Sequence, residues 1–192
     1  MPDIVIRGGT VIDGTGQPQR SADVAIDGNQ ITAVGSGISR GDREINAAGA
    51  LVMPGWVDVH THYDGQVTWD PYLTPSSWHG VTTAVFGNCG VGFAPVNNGT
   101  EDYLINLMEG VEDIPGSVLA EGLDFSWQTF PEYLDRVDAS PKVMDVAAQV
   151  PHGPLRFYVM GERGADHTIV PNHDEIETMG KIVEEALTVG AV

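Results

Sequence analysis

The sequence predicts an α/β fold in two parts: part of a small β-sandwich over residues 1–53, then the first part of a parallel (β/α) barrel over residues 54–192. Three observations carry this expectation. Period-two alternation dominates the first fifty residues, strands and helices alternate after Pro54, and the strand that follows Pro54-Gly55 ends in two histidines one residue apart. Strand–helix repetition implies a parallel sheet or a (β/α) barrel. Barrel enzymes keep their reactive groups at the C-terminal ends of the strands.

Taken in order, “DIVIRGGTVID” and “SADVAIDGNQITAVG” alternate apolar and polar residues, with Asp27-Gly28 as a tight-turn signal between two strand patterns. “GALVMPGW” closes this region. “WVDVHTHYDG” (56–65) reads as the first strand of the second part, and “GVTTAVFGNCG” (80–90) as a β-branched strand running into a glycine-rich turn. Thr100 is placed as an N-cap, with Glu101 and Asp102 in the first turn and Leu104, Ile105, Leu107, Met108 and Val111 at helical spacing behind it. Thr129 and Glu132 have capping-box spacing and open a second helix. “KVMDVAAQVP” (142–151) is the next strand, and a last helix runs from about Asp174 to a stop at Gly190. “GAV” then reads as the opening of another strand. Fewer residues follow Met53 than the about 250 of a complete (β/α)₈ barrel, so the expectation is a truncated barrel of three strands and the start of a fourth.

Composition removes whole classes of function. The chain has 192 residues, 42% of them hydrophobic, and its 27 acidic against 9 basic residues give a net charge of −18. That field repels phosphate backbones and anionic lipid, which excludes nucleic acid and membrane surfaces as expected partners. A single cysteine allows no intrachain disulfide. With no signal-peptide pattern and no bilayer-length apolar run, a reducing cytoplasmic compartment is expected.

In an extended strand successive side chains point to opposite faces. Asp58, His60, His62 and Asp64 therefore share one face, while Val57, Val59 and Thr61 share the face expected to pack under helices. His-x-His alone is a weak signal. Its place at a strand end, its common direction and its flanking carboxylates strengthen it. Cys89 lies at the end of the following strand, inside “FGNCGVG”. Neighbouring strands of a barrel bring His60, His62 and Cys89 to one rim, and thiolate with imidazole is a zinc-favouring set. His152, in “VPHGPL”, follows the third strand and is a candidate for the same rim, with a loop histidine as the plainer reading. Asp64 is a candidate lining residue and Asp58 a structural one. His79, His167 and His173 read as solvated, and the four tryptophans as packing.

“PGWVDVHTHYD” resembles the first barrel strand of the amidohydrolase superfamily. Paired with “GVTTAVFGNCGVGFAPV”, “GVEDIPGSVLAEGLDFSWQTFPEYLDRVD” and “VPHGPLRFYVMG”, it is similar to the N-acyl-D-amino-acid deacylase (D-aminoacylase) branch across nearly the whole chain. Most of the superfamily bridges its metals with a carboxylated lysine, and in this branch a second-strand cysteine takes that place. Cys89, 29 residues after His60, matches it. The resemblance implies a composite sandwich beside a TIM-like barrel and zinc-assisted hydrolysis of the amide of an N-acyl-D-amino acid, releasing a carboxylate and a D-amino acid. It implies His60, His62 and Cys89 as ligands, the thiolate serving one tight site or bridging to a second, weaker one. It also implies two further histidines and a proton-shuttling aspartate on later strands, none with a counterpart here, so no catalytic residue is identified within the chain. The alternatives are a cyclic amide or imide hydrolase, or a truncated fragment that is not catalytic by itself. The sequence leaves the acyl group, the side-chain preference and the oligomeric state open.

Overall fold

A computed structural model describes all 192 residues as a mixed α/β chain with two compact units, Met1–Gly55 and Trp56–Val192. The first unit holds β1 (Ile4–Val11), β2 (Arg20–Asp27), β3 (Gln30–Gly35), β4 (Arg43–Asn46) and β5 (Leu51–Val52). They form one sheet in the order β3-β2-β1-β4, with β5 also paired to β1. β2 and β3 are joined by the two-residue turn Gly28-Asn29, where Asp27 pairs with Gln30. The alternating pattern buries Val11, Ala22 and Val24 against Ile6, Ile26 and Val52.

Arg7 ties three strands together. Its guanidinium meets Asp23 on β2 at 2.8 Å and Glu44 on β4 at 2.6 Å, and donates to the carbonyls of Ile38 and Ser39. The Gly8 N–H, then Arg7, holds Asp23 below the usual carboxylate range, and Arg7 does the same for Glu44. Both carboxyls have a lower pKa folded than unfolded. Their contribution is therefore present above about pH 4 and is lost as pH falls through the folded values. The expected outcome is that the gap in thermal midpoint between the parent and Arg7→Met narrows from about pH 7 to about pH 3. It should not close, because the carbonyl bonds remain. An unchanged gap would mean the two carboxylates contribute nothing.

The second unit contains β6 (Trp56–Thr61), β7 (Val81–Phe86) and β8 (Asp145–Ala148), all parallel in the order β6-β7-β8. Between and after them come α1 (Glu101–Glu112), α2 (Gly116–Gly122), α3 (Phe130–Ala139), α4 (His152–Met160), α5 (Glu162–Ala165) and α6 (His173–Thr188). Phe86, Phe93, Phe130, Leu73, Leu104, Met108 and Leu119 form the dry centre of this unit. The capping box at Thr129 and Glu132 is present, and Asn172 with Glu175 makes a second one at the start of α6. Thr100 does precede α1, but its hydroxyl donates to the Asn97 carbonyl instead of capping the helix. After α6 the chain returns to the sheet: the Val192 N–H donates to the Ala148 carbonyl at 3.1 Å.

Three expectations change. β6 stops at Thr61, so His62 and Asp64 lie beyond the strand. Val57 and Val59 are 58% and 66% exposed instead of covered, and only Thr61 on that face is buried. Of the four tryptophans, Trp127 alone is fully packed, donating from its indole N–H to the Phe93 carbonyl, whereas Trp56 and Trp78 are exposed.

Candidate metal centre

His60 ends the exposed run of β6, its backbone N–H donating to the Asp58 carboxylate. Asp58 thus acts on the backbone. Thr61 locks the strand end to its neighbour by donating from its hydroxyl to the Val85 carbonyl at 2.9 Å. His62 follows at once, and the two imidazoles stand with ring centroids 5.5 Å apart. The register of β6 against β7 brings Thr61 level with Phe86. The turn after Phe86 therefore delivers Cys89 beside the histidines. That turn is closed by the Gly90 N–H on the Gly87 carbonyl, and the Asn88 amide reaches back to the Val59 carbonyl.

The ligand atoms of His60, His62 and Cys89 all lie within 4.8 Å of one another, and the Cys89 Sγ is 3.9 Å from His62 Nδ1. Atoms bound to one tetrahedral zinc are about 3.3 to 3.8 Å apart, so small side-chain rotations bring these three onto one ion. The donor types agree: a soft thiolate with two imidazoles fits zinc. His60 and Cys89 are exposed and His62 half-buried, which leaves one side of the cluster open. Burial lowers the His62 pKa, the Glu112 carboxylate opposes that, and His60 adds to the lowering. A neutral ring with a free lone pair is the form a metal requires.

The other candidates sit around this cluster. Asp64 is 3% exposed, with Oδ2 lacking any hydrogen-bond partner, and burial pushes its pKa up to about 8. Its backbone carbonyl accepts from the buried Tyr133 hydroxyl at 2.7 Å. His152 is exposed and opens α4 rather than lying in a loop. The neighbouring Gly153 N–H donates to the Gly90 carbonyl at 2.8 Å, which places His152 beside the cysteine turn. His79, His167 and His173 are exposed. One residue that the sequence did not single out also reaches the cluster: Glu112 Oε1 lies 3.1 Å from His62 Nε2.

The sequence profile described as the amidohydrolase family matches residues 43–191. The chain belongs to the amidohydrolase family. The D-aminoacylase of Alcaligenes xylosoxydans xylosoxydans is 32% identical over 191 residues, which cover 99% of this chain and 36% of that protein. A solved D-aminoacylase with a binuclear metal centre superposes with a TM-score of 0.82 at 37% identity, over 100% of this chain and 38% of the other. N-acyl-D-glutamate deacylase from Bordetella bronchiseptica, solved with zinc and a phosphonate that mimics the tetrahedral intermediate, gives 0.81 at 32% identity, over 100% and 37%. The resemblance to the D-aminoacylase branch thus extends from the quoted motifs to the three-dimensional structure. This amidohydrolase chain spans about a third of the length of the curated relatives it matches. No helix in it is long and apolar enough to cross a membrane.

Proposed function

We propose that this chain carries the first metal ligands of a zinc-dependent hydrolase that cleaves the amide bond of N-acyl-D-amino acids. The observation that supports this reading is the convergence of His60, His62 and Cys89 within 4.8 Å, from the ends of two adjacent parallel strands, in an amidohydrolase chain. In the same reading β6, β7 and β8 are the opening strands of a TIM-like (β/α) barrel, and residues 1–53 are part of the composite sandwich that accompanies it. A cytoplasmic setting suits a site that needs Cys89 reduced.

Each residue then has a task. His60 and His62 offer ring nitrogens and Cys89 offers its sulfur to one tight zinc site, the thiolate being also able to bridge to a second ion. Zinc held there supplies Lewis acidity toward an acyl carbonyl and lowers the pKa of water. His152, exposed beside the cysteine turn, is proposed to contact the substrate. Asp64, buried with an unpaired oxygen, is proposed to line the floor of the site. The Gly87–Gly90 turn fixes where the sulfur stands.

The test is a substrate panel run, with zinc restored, on this chain complemented by a polypeptide that carries the two later-strand histidines and the aspartate that the resemblance implies: N-acetyl-D-amino acids, their L-enantiomers, and cyclic amides and imides. Hydrolysis confined to the D-series, lost on chelation and recovered with zinc, is expected. Turnover of the cyclic compounds instead would replace this reading with ring-opening hydrolysis.

A further inference from the structure

We propose that Asn88 is a positioning residue for the metal centre: its side-chain amide bonds a backbone carbonyl left without a ladder partner by a β-bulge in β6, and so clamps the Cys89 turn to the strand that carries His60. This rests on the zinc reading given above. The register of the two strands is where it begins. Asp58 pairs with Ala84 and Thr61 with Phe86, so Val59 and His60 together face Val85 alone. Two residues against one make a bulge, which interrupts the ladder, bends the strand and re-aims side chains next to functional sites. Here it falls on the residue whose imidazole joins the cluster.

Side chains take over where the ladder fails. The Asp58 carboxylate accepts from the His60 N–H at 3.2 Å, the Thr61 hydroxyl donates to the Val85 carbonyl at 2.9 Å, and the Asn88 amide donates to the Val59 carbonyl. Asp58 acts within β6, and Thr61 joins β6 to β7. Asn88 alone joins β6 to the turn that holds the sulfur, across 29 residues of chain. Asparagine is also favoured where a turn needs left-handed backbone. In this turn those positions belong to Gly87 at φ +90 and Gly90 at φ +95, and Asn88 is not among the residues with positive φ. Nor does Asn88 fill the core, because it is exposed. Its bond to Val59 is what distinguishes it from any other polar turn residue. That bond ties the residue before Cys89 to the residue before His60, so both ligands are held in register before a metal arrives. Ligands ordered in advance lose less freedom on binding.

The informative variant is Asn88→Leu, which keeps the branching of the side chain and removes the donor. Zinc affinity is measured by competition with a chromophoric chelator. In the metal-free chain, the carbonyl ¹³C shift of Val59 reports the bond itself, and amide hydrogen exchange reports the order of the Gly87–Gly90 turn. The expected result is a moved Val59 shift, faster exchange in that turn, and zinc affinity lower by about 3- to 10-fold, the equivalent of one hydrogen bond. Asn88→Gln, which keeps an amide donor, should recover part of the loss. Gly99→Ala, which strains the loop before α1, is the control for general destabilisation: it should lower the thermal midpoint and leave zinc affinity unchanged. Equal zinc affinity in the parent and Asn88→Leu overturns the proposal. So does an unmoved Val59 shift, which would mean that the bond is not made, or a loss of affinity in Gly99→Ala as large as in Asn88→Leu. A parent that takes up no zinc overturns the metal reading and the proposal with it. That failure is recognised because it appears before any substitution is made.

Discussion

Cys89→Ser should abolish tight zinc binding. The sulfur is exposed and sits at the tip of a glycine-rich turn, so its near-isosteric replacement removes almost no packing and the metal-free thermal midpoint should stay where it was. Serine cannot follow cysteine as a ligand, because its hydroxyl does not ionise near neutral pH and oxygen is the harder donor. The two histidines that remain are a poor substitute for a three-donor set with a thiolate. Disturbing only the outer partner of a ligand costs about 10- to 100-fold, and removing the ligand itself should cost more than that. The check is zinc content after dialysis against a weak chelator, parent beside variant. Zinc retained at full stoichiometry would reduce Cys89 to a turn residue and move the metal elsewhere.

The three proposed ligands were legible in the sequence for a local reason. His60 and His62 sit where a period-two strand runs out, and Cys89 sits where the next β-branched strand meets glycines. Strand ends of adjacent parallel strands must lie side by side, so two local patterns were enough to bring the residues together on paper. The alternation of strands and helices was equally local, and so was the capping box at Thr129 and Glu132.

What stayed hidden depends on partners distant in sequence. Glu112 reads as the solvated end of an amphipathic helix, and only the fold reveals that it points at His62. The signal was present: an acidic residue at the i+8 position of an otherwise buried stripe. α2 and α4 were missed because Gly116, Gly153 and Pro154 lower helix propensity, although proline is tolerated in the first turn, where Pro154 stands. The exposed Val57 and Val59 were misplaced because alternation assigns residues to faces but does not say whether either face is covered, and His60 on the opposite face of β6 is exposed as well. The burial of Asp64 beyond the strand end was hidden for a related reason. The chain leaves strand geometry at Thr61, and the two-residue period no longer applies.

Gly87→Ala should be the most damaging single-methyl change near the proposed site, and its mechanism can be separated into two parts. Gly87 follows β7 with φ +90, a conformation that strains any residue with a Cβ. That strain alone costs about 1 to 2 kcal/mol. The added Cβ would also overlap the carbonyl oxygen of Gln149 and approach its carbonyl carbon at 3.1 Å. Neither neighbour can move freely, because the Gln149 N–H donates to the Phe86 carbonyl as the β7–β8 pairing runs out. Forcing backbone apart in a packed region adds about 1 to 3 kcal/mol, for a total on the order of 3 kcal/mol. Gly99 provides the control: its φ is +82, but nothing lies within 4 Å of its would-be Cβ. Gly99→Ala should therefore show the strain without the collision and cost about 1 kcal/mol. Denaturant midpoints of both variants measure the difference, which isolates the clash with Gln149. The same methyl should weaken zinc binding in the fraction that still folds, because the turn it displaces carries Cys89. Equal midpoints for the two variants would mean that the β7–β8 contact yields easily, and that the cysteine turn is held less firmly than its hydrogen bonds suggest.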